Sequence, residues 1–534
     1  MTQGSTLRRS GADLVAVFSN VFVTLLWGVP LLSLVFLGIG VPLVGLEQTG
    51  ANDFAIINSF CLAGLVAFVS CGLGLAIALA ITRLPLASRK AALIAMCVPI
   101  LIPSYLLAIC WAPMLSPSGL VVAPIGTAPA LNIAGFAACV WVLTCAYYPV
   151  ALLILYSALT RWSSAYDEVG LANGVSRQRI LMLKCRWLMW PGVAAFMIIA
   201  LLSLGDFAVP DYFGVRTLGA DIFAIAASYL DPRAALYASM PLFWAALILA
   251  LLLGYATHQS WRNLVSNGAT AAPRAENARR HTLIYGCMLL AAAGIAILGV
   301  PVVALLITLA SGHERWFLVL RQTAQLVGED IFNSVQLAGL VAIVSIVPAL
   351  LAAYASSRAS RPLDHLGRGA AALALATPVG LWALGASALT AALPQAFGGR
   401  VGMALLIGIA LRALAPAVEL MVSGFRGIPD SHEEAGRSAG LSNRMVWWRI
   451  LAPQIMPAAM MAFVLAWIWA LNDVTVTVLL APPGFSTLML RIFQSVHYGP
   501  PEFLAALVLI HLLMIGVALL LALGGLRLWR RIRQ

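Results

Sequence analysis

The sequence predicts an all-α polytopic membrane protein with about 12 transmembrane helices in two tandem six-span halves, and three observations predict it. The first is composition: 62% of the 534 residues are apolar and 10% are charged, with a mean hydropathy of +0.96, whereas a soluble domain carries roughly 25% charged residues. The second is a series of apolar stretches, each of the about 20 residues that a helix needs to cross a bilayer core. The third is repetition. Asn58-Ser59, the LAGLVA run at 62–67 and Val69-Ser70 recur as Asn333-Ser334, LAGLVA at 337–342 and Val344-Ser345, an offset of 275 residues.

Taken in order, the spans of the first half fall near 15–39, 54–81, 91–111, 133–159, 192–210 and 236–256. Those of the second half fall near 282–310, 332–356, 369–392, 401–425, 458–481 and 502–526. An even number of spans puts both termini on one side, and basic residues decide which. With cytosolic termini, 25 of the 32 Lys and Arg lie inside and 6 lie outside (Arg216, Arg233, Arg315, Arg321, Arg400 and Arg491), while Arg412 sits within a span. The formal charge of +12 is thus an orientation signal, not a nucleic-acid surface. Basic clusters at span ends, such as Arg527 to Arg533, face lipid headgroups. The apolar run after Arg8-Arg9 is too long for a signal-peptide core, so the first span reads as an uncleaved anchor.

The predicted organisation is an N-terminal tail with a first accessory span and outer loop (1–53), a first core (54–256) and a cytosolic linker (257–281). There follow a second accessory span with its loop (282–331), a second core (332–526) and a basic cytosolic tail (527–534). Because the repeated segments share a membrane orientation, a pseudo-twofold axis along the membrane normal is expected, with a pathway where the halves meet. The eight cysteines form no CxxC pair, which argues against a disulfide framework or thiolate metal site.

Two loops carry a matching pattern, DEVGLANGVS at 167–176 and EEAGRSAGLS at 433–442. In the second, Asp430 with Glu433 after Pro429 resembles a capping box, Gly440 supplies a positive-φ stop, and Ser442 caps the next helix. The first uses Ser164, Asp167, Gly174 and Ser176 in the same way. Either copy alone reads equally as an amphipathic interfacial elbow; duplication in equivalent loops favours a docking role. Glu434-Ala435-Gly436, Gly440, Ile450 and Pro453 resemble the EAA loop of ABC importer permeases, and Glu168, Gly170 and Gly174 are the matching residues of the first copy. The resemblance implies a type I importer fold with a five-helix core in each half. It also implies coupling helices seated in a cytosolic ABC ATPase dimer, and a periplasmic or lipid-anchored substrate-binding protein. The sequence departs from the motif at Gly170 and Gly436, which stand where the family has Ala, at Val169 and Ala452, and at Lys184 and Trp187, which occupy the Ile and Pro positions of the first copy.

The chain has two lysines, Lys90 and Lys184, and neither follows a phosphate-cradling Gly-rich loop. ATP and Mg are therefore expected on a partner subunit, and no cofactor or metal on this chain. No nucleophile and base arrangement marks it as an enzyme. Ionisable groups inside a membrane invite a functional reading. Arg412 and Glu419, two helical turns apart, read either as a polar element of the pathway or as interhelical structural pairing. Asp206 and Asp473, at near-equivalent span ends, read either as substrate contacts or as helix caps. Fusion of the halves, with LGDFAVPDYFG and TVLLAPPGFSTL, looks most like ferric-iron permeases, with thiamine, polyamine and phosphonate permeases as relatives. The reading from another class is an ion-gradient-driven secondary transporter using Asp206, Arg412, Glu419 and Asp473. The expected location is a bacterial inner membrane.

Overall fold

The computed structural model describes residues 53–115, 133–162, 164–228, 232–266, 280–310, 315–358, 377, 379–391 and 400–533. The predicted first span, the centre of the linker and the start of the ninth span lie outside the described residues. The chain is an all-α polytopic membrane protein. Among the described residues, nine helices are long and apolar enough to cross a membrane. A tenth candidate is a pair, Leu86–Leu101 and Ser104–Leu115, bent by 90°. The break follows a 3-10 turn over Val98–Leu101 that contains Pro99, whose ring removes a backbone donor and disrupts the α ladder.

The helices fall into two compact units, the described residues of 43–313 and those of 314–534. In the first, α1 is Asp53–Arg83, α2 Leu86–Cys97, α3 Ser104–Leu115, α4 Ile133–Arg161, α5 Ser164–Ala172, α6 Arg177–Gly205, α7 Ala208–Tyr212, α8 Leu218–Ser228 and α9 Pro232–Ser266. Its last span is α10 (Arg280–Gly294) running through a π-helical turn into α11 (Val300–Ala310). In the second, α12 is Trp316–Leu326, α13 Gly328–Arg358, α14 Val379–Ala391, α15 Arg400–Arg426, α16 Asp430–Ser438, α17 Asn443–Val446, α18 Ala452–Leu471, α19 Thr475–Leu480, α20 Leu488–Tyr498 and α21 Pro501–Arg533.

Both units are built alike. Helices α1, α4 and α6 pack on one another in the first, and α13, α15 and α18 do so in the second. The repeated LAGLVA runs explain the likeness locally: Leu62, Ala63, Val66 and Ala67 are buried, as are Leu337, Ala338, Val341 and Ala342, so each run turns the same inward stripe to its neighbours. Small residues let the axes approach, which matters where lipid provides no hydrophobic drive between helices. At Gly74 an added Cβ would stand 2.8 Å from both the Ala151 Cβ and the Leu152 backbone nitrogen. Gly74→Ala is therefore expected to lower the thermal midpoint of the detergent-solubilised protein, at a cost of about 1–3 kcal/mol for overpacking, because backbone cannot rotate aside. Gly64, which meets nothing within 4 Å, is the control; equal midpoints for Gly74→Ala and Gly64→Ala would refute the close-approach argument.

The span at 280–310, placed by sequence as an accessory segment ahead of the second core, packs on α1, α2 and α3 of the first unit. Leu290, Ala293 and Ile297 join Ile77, Ile81, Met96 and Tyr148 in one buried cluster. Several helices also outrun their apolar stretches. The fifth predicted span begins at Arg177 rather than 192, and the eleventh runs continuously from Asn443 to Leu471. Basic and aromatic residues such as Lys184, Arg186, Trp447 and Arg449 lower local hydropathy without breaking helical geometry, and hydropathy alone therefore truncates these elements.

Candidate functional site

The two glycine elbows form from the same local chemistry. Helix α16 ends where Gly440 takes φ +81°, with Leu441 N donating to Gly436 O (3.1 Å) and Gly440 N to Arg437 O (3.0 Å). Helix α5 ends at Gly174, φ +77°, with Val175 N donating to Gly170 O (2.9 Å) and Gly174 N to Leu171 O (3.0 Å). Both are Schellman stops, which need a left-handed residue at this position and an apolar contact across the turn. The serines then start the next helices: Ser176 accepts from Arg179 N and Ser442 from Met445 N.

Packing of the following helix against each elbow accounts for the departure from alanine in the motif. Gly170 and Gly436 sit four residues before the turn glycines, and their missing Cβ atoms make room for the following helix. A Cβ at Gly436 would lie 2.5 Å from Ile450 Cδ1 and 3.2 Å from Val446 Cγ2, and one at Gly170 would lie 3.3 Å from Ile180 Cδ1. Ile450 thereby closes the second elbow from a π-helical turn over Trp447–Leu451. Asp473 stands one residue farther from Gly440 than Asp206 does from Gly174; a π-turn takes up one extra residue without breaking a helix, and α6 is α-helical over the corresponding stretch.

The capping box expected at Asp430 does not form. Pro429 occupies the N-cap and makes no side-chain cap bond, while the buried Glu433 accepts from Arg437 Nη2 at 3.3 Å, one turn along its own helix. In the first elbow the Ser164 side chain lies outside the described residues, and Asp167 turns to other partners. It accepts from Trp162 Nε1 at 2.9 Å and pairs with Lys184. Trp187 stacks edge-on against Trp162 and donates to Ala158 O at 3.0 Å. Lys184 and Trp187 are the residues that replace the motif's Ile and Pro, so a polar and aromatic latch does in the first copy what Ile450 does in the second. Nothing in the repeat pattern announces this latch; only the departures themselves mark its position.

Of the sequence-predicted elbow residues, Glu168, Gly174, Glu434, Ala435 and Gly440 are exposed, Gly170, Ile450 and Pro453 half-buried, and Gly436 buried. The acidic pair lies elsewhere in each unit, at a chain break between a long and a short helix. Asp206 follows α6. Its Oδ1 accepts from Val209 N at 3.2 Å, and its Oδ2 accepts from Tyr147 Oη at 2.9 Å and from Ser104 Oγ. Asp473 follows α18, and its Oδ1 accepts from Thr477 N at 3.0 Å and Thr477 Oγ1 at 3.3 Å. Each aspartate thus ties down the start of the short helix after it. Arg412, buried on α15, acts electrostatically on Asp473. Glu419, two turns along α15, is exposed, so Arg412 and Glu419 occupy different environments despite their shared helical phase. Beside Asp473, Asn472 Oδ1 lies 3.0 Å from Nε2 of the fully buried His511, a contact not foreseen from sequence.

The other repeated pair also has a structural role. Asn58 Nδ2 donates to Arg216 O (3.0 Å) and Ser59 Oγ accepts from Leu218 N (2.9 Å). Asn333 Nδ2 donates to Ser486 O (3.1 Å) and Ser334 Oγ accepts from Leu488 N (2.8 Å). The same dipeptide clamps the segment beyond the short helix in each unit. Ser334→Ala leaves the Leu488 amide buried without its acceptor, an expected loss of about 1–3 kcal/mol. Faster amide hydrogen exchange at 486–490 than in the unsubstituted protein is the measurement; unchanged protection there would dismiss the clamp.

Residues 345–529 match the family described as "Binding-protein-dependent transport system inner membrane component". The second unit is similar to such a membrane component. The match takes in the second elbow, Arg412, Asp473 and His511. Over 95 residues the chain is 32% identical to the putrescine transport system permease protein PotI of Escherichia coli strain K12, a stretch that is 18% of this chain and 34% of the relative. The same protein from Escherichia coli O6:H1 matches equally. The chain thus spans about a third of the length of the curated relatives it matches. Among the described residues, no group of three or more His, Cys, Asp or Glu is placed to hold a metal ion.

Proposed function

We propose that the chain is the fused two-half permease of an ATP-driven, binding-protein-dependent importer of the type I class, multi-pass in a bacterial inner membrane with both termini cytosolic. The observation that carries this reading is the duplicated helix, glycine and helix elbow, whose second copy lies within the family match. Each elbow is a short helix fixed to a long membrane helix through a rigid Schellman turn, so displacement of the exposed helix moves the span to which it is joined. A cytosolic ABC ATPase dimer bearing ATP and Mg seats the elbows, and a periplasmic or lipid-anchored binding protein delivers the solute. The chain itself is a non-catalytic subunit that holds no cofactor.

For the solute, the resemblance of LGDFAVPDYFG and TVLLAPPGFSTL supports ferric iron. A polyamine is the second reading, favoured by the similarity to a putrescine permease. Gentle-detergent purification of the tagged chain from its native host, with mass spectrometry of what accompanies it, tests the assembly. Recovery of a P-loop ATPase is expected. Reproducible recovery of the chain alone, with uptake that survives ATP depletion and collapses with the ion gradient, would instead support the secondary transporter.

A further inference from the structure

The two elbows align position by position about their turn glycines, Gly174 and Gly440. Tyr166 then pairs with His432, Glu168 with Glu434, Val169 with Ala435, Leu171 with Arg437 and Ala172 with Ser438. Both copies expose the glutamate, and in both the preceding acid turns back to a base, Asp167 to Lys184 and Glu433 to Arg437. The rest of the exposed arc differs in kind. Around α5, at about 100° per residue, Leu171, Glu168, Ala172, Val169 and Tyr166 follow one another. Tyr166, Val169 and Leu171 are 45%, 60% and 47% exposed. Around α16 the same arc reads Arg437, Glu434, Ser438, Ala435 and His432, without one exposed large apolar side chain. Beyond the turn each copy keeps an exposed apolar residue at equivalent positions, Met182 and Trp448, but the exposed Leu183 gives way to the exposed Arg449.

Apolar side chains grouped around a charge on an exposed helix mark a contact surface. Lipid does not suit α5, because headgroup phosphates repel a carboxylate set within the arc. A protein groove with an apolar floor and a basic group does. We propose that the two elbows hold the partner ATPase by different forces, the first by burial of Tyr166, Val169 and Leu171 around Glu168, and the second by charge through Glu434, Arg437 and Arg449. This rests on the permease reading. Burial of apolar area survives salt, whereas exposed charges are screened beyond about 10 Å at ~0.1 M and about 3 Å at ~1 M. The first elbow is thus the salt-resistant attachment, and the second is released by salt.

The test uses native-host membrane vesicles bearing the tagged chain, washed in KCl at ~0.1 M or ~1 M. Amide hydrogen exchange is read separately in peptides from 164–173 and 430–439, against the chain purified alone, and P-loop ATPase content is read by mass spectrometry. At the lower salt both elbows should be protected. At the higher salt the ATPase should stay, with 164–173 still protected and 430–439 exchanging as in the chain alone. Val169→Ala with Leu171→Arg gives the first elbow the residues of the second. Both positions are exposed, so folding is spared, and membrane abundance checks this. The ATPase retained by this variant in the high-salt wash should fall about tenfold or more, with low-salt retention unchanged. Equal high-salt retention by the variant and the wild type overturns the assignment. So does protection that both elbows keep, or both lose, in that wash, or that the first loses while the second keeps it. Absence of any P-loop ATPase from the low-salt vesicles' tagged chain instead defeats the permease reading itself.

Discussion

Cells carrying Glu434→Ala with Gly440→Val are expected to lose ATP-dependent uptake to the level of the deletion strain while the protein inserts at normal abundance. The turn at Gly440 has φ +81°, a region where a β-branched residue costs about 1–3 kcal/mol and where the surrounding geometry must over-determine the strain. Open space around Gly440, with no atom within 4 Å of an added Cβ, means that the penalty is conformational and not steric. The elbow is therefore expected to unwind locally, leaving the buried packing of α15 and α18 in place. Glu434 is exposed on α16, so its removal changes the surface offered to a partner and little else. The corresponding Glu168→Ala with Gly174→Val should be milder, because the first elbow has a second anchor in Asp167, Lys184 and Trp162 that does not depend on the turn. Uptake rates normalised to membrane abundance are the measurement. Normal rates in the second-elbow variant would remove the elbow from the transport cycle.

How far the sequence reached depends on what each feature rests on. The elbows were legible because they are governed by local rules: a residue free to take positive φ and a serine able to accept from the third amide ahead. Their closure was not. Lys184 and Trp187 read as departures from a motif, and only three-dimensional contact with Asp167, Trp162 and Ala158 shows them as a substitute latch. Asn58-Ser59 and Asn333-Ser334 were visible as repeats, yet their partners lie 153 to 159 residues away in the chain, which no periodicity encodes. Span boundaries failed in both directions: the fifth and eleventh spans begin earlier than hydropathy places them, because a helix is free to continue beyond the bilayer core, and they end earlier too, at Gly205 and Leu471, because apolar residues continue past the helix breaks. The capping box expected at Asp430 and Glu433 failed for a different reason. A carboxylate at the right spacing competes among donors, and Arg437, one turn along the helix, wins Glu433.

The second large effect is expected at Arg412. Arg412→Met removes the buried cation that acts on Asp473 and keeps most of the side-chain volume. Breaking one partner of a buried charged pair costs about 3–5 kcal/mol, since the remaining charge is left uncompensated in a low dielectric. The variant should therefore be recovered in low yield, with a thermal midpoint well below that of the unsubstituted protein. Asp473→Asn alone is expected to cost less, because asparagine can still accept from Thr477 N and the arginine is long enough to seek other acceptors. The decisive measurement is the double variant. If the two groups are coupled, adding Asp473→Asn to Arg412→Met should restore much of the lost stability, a non-additivity of the kind that contacting charges show. Additive losses would mean that Arg412 serves packing and not charge balance.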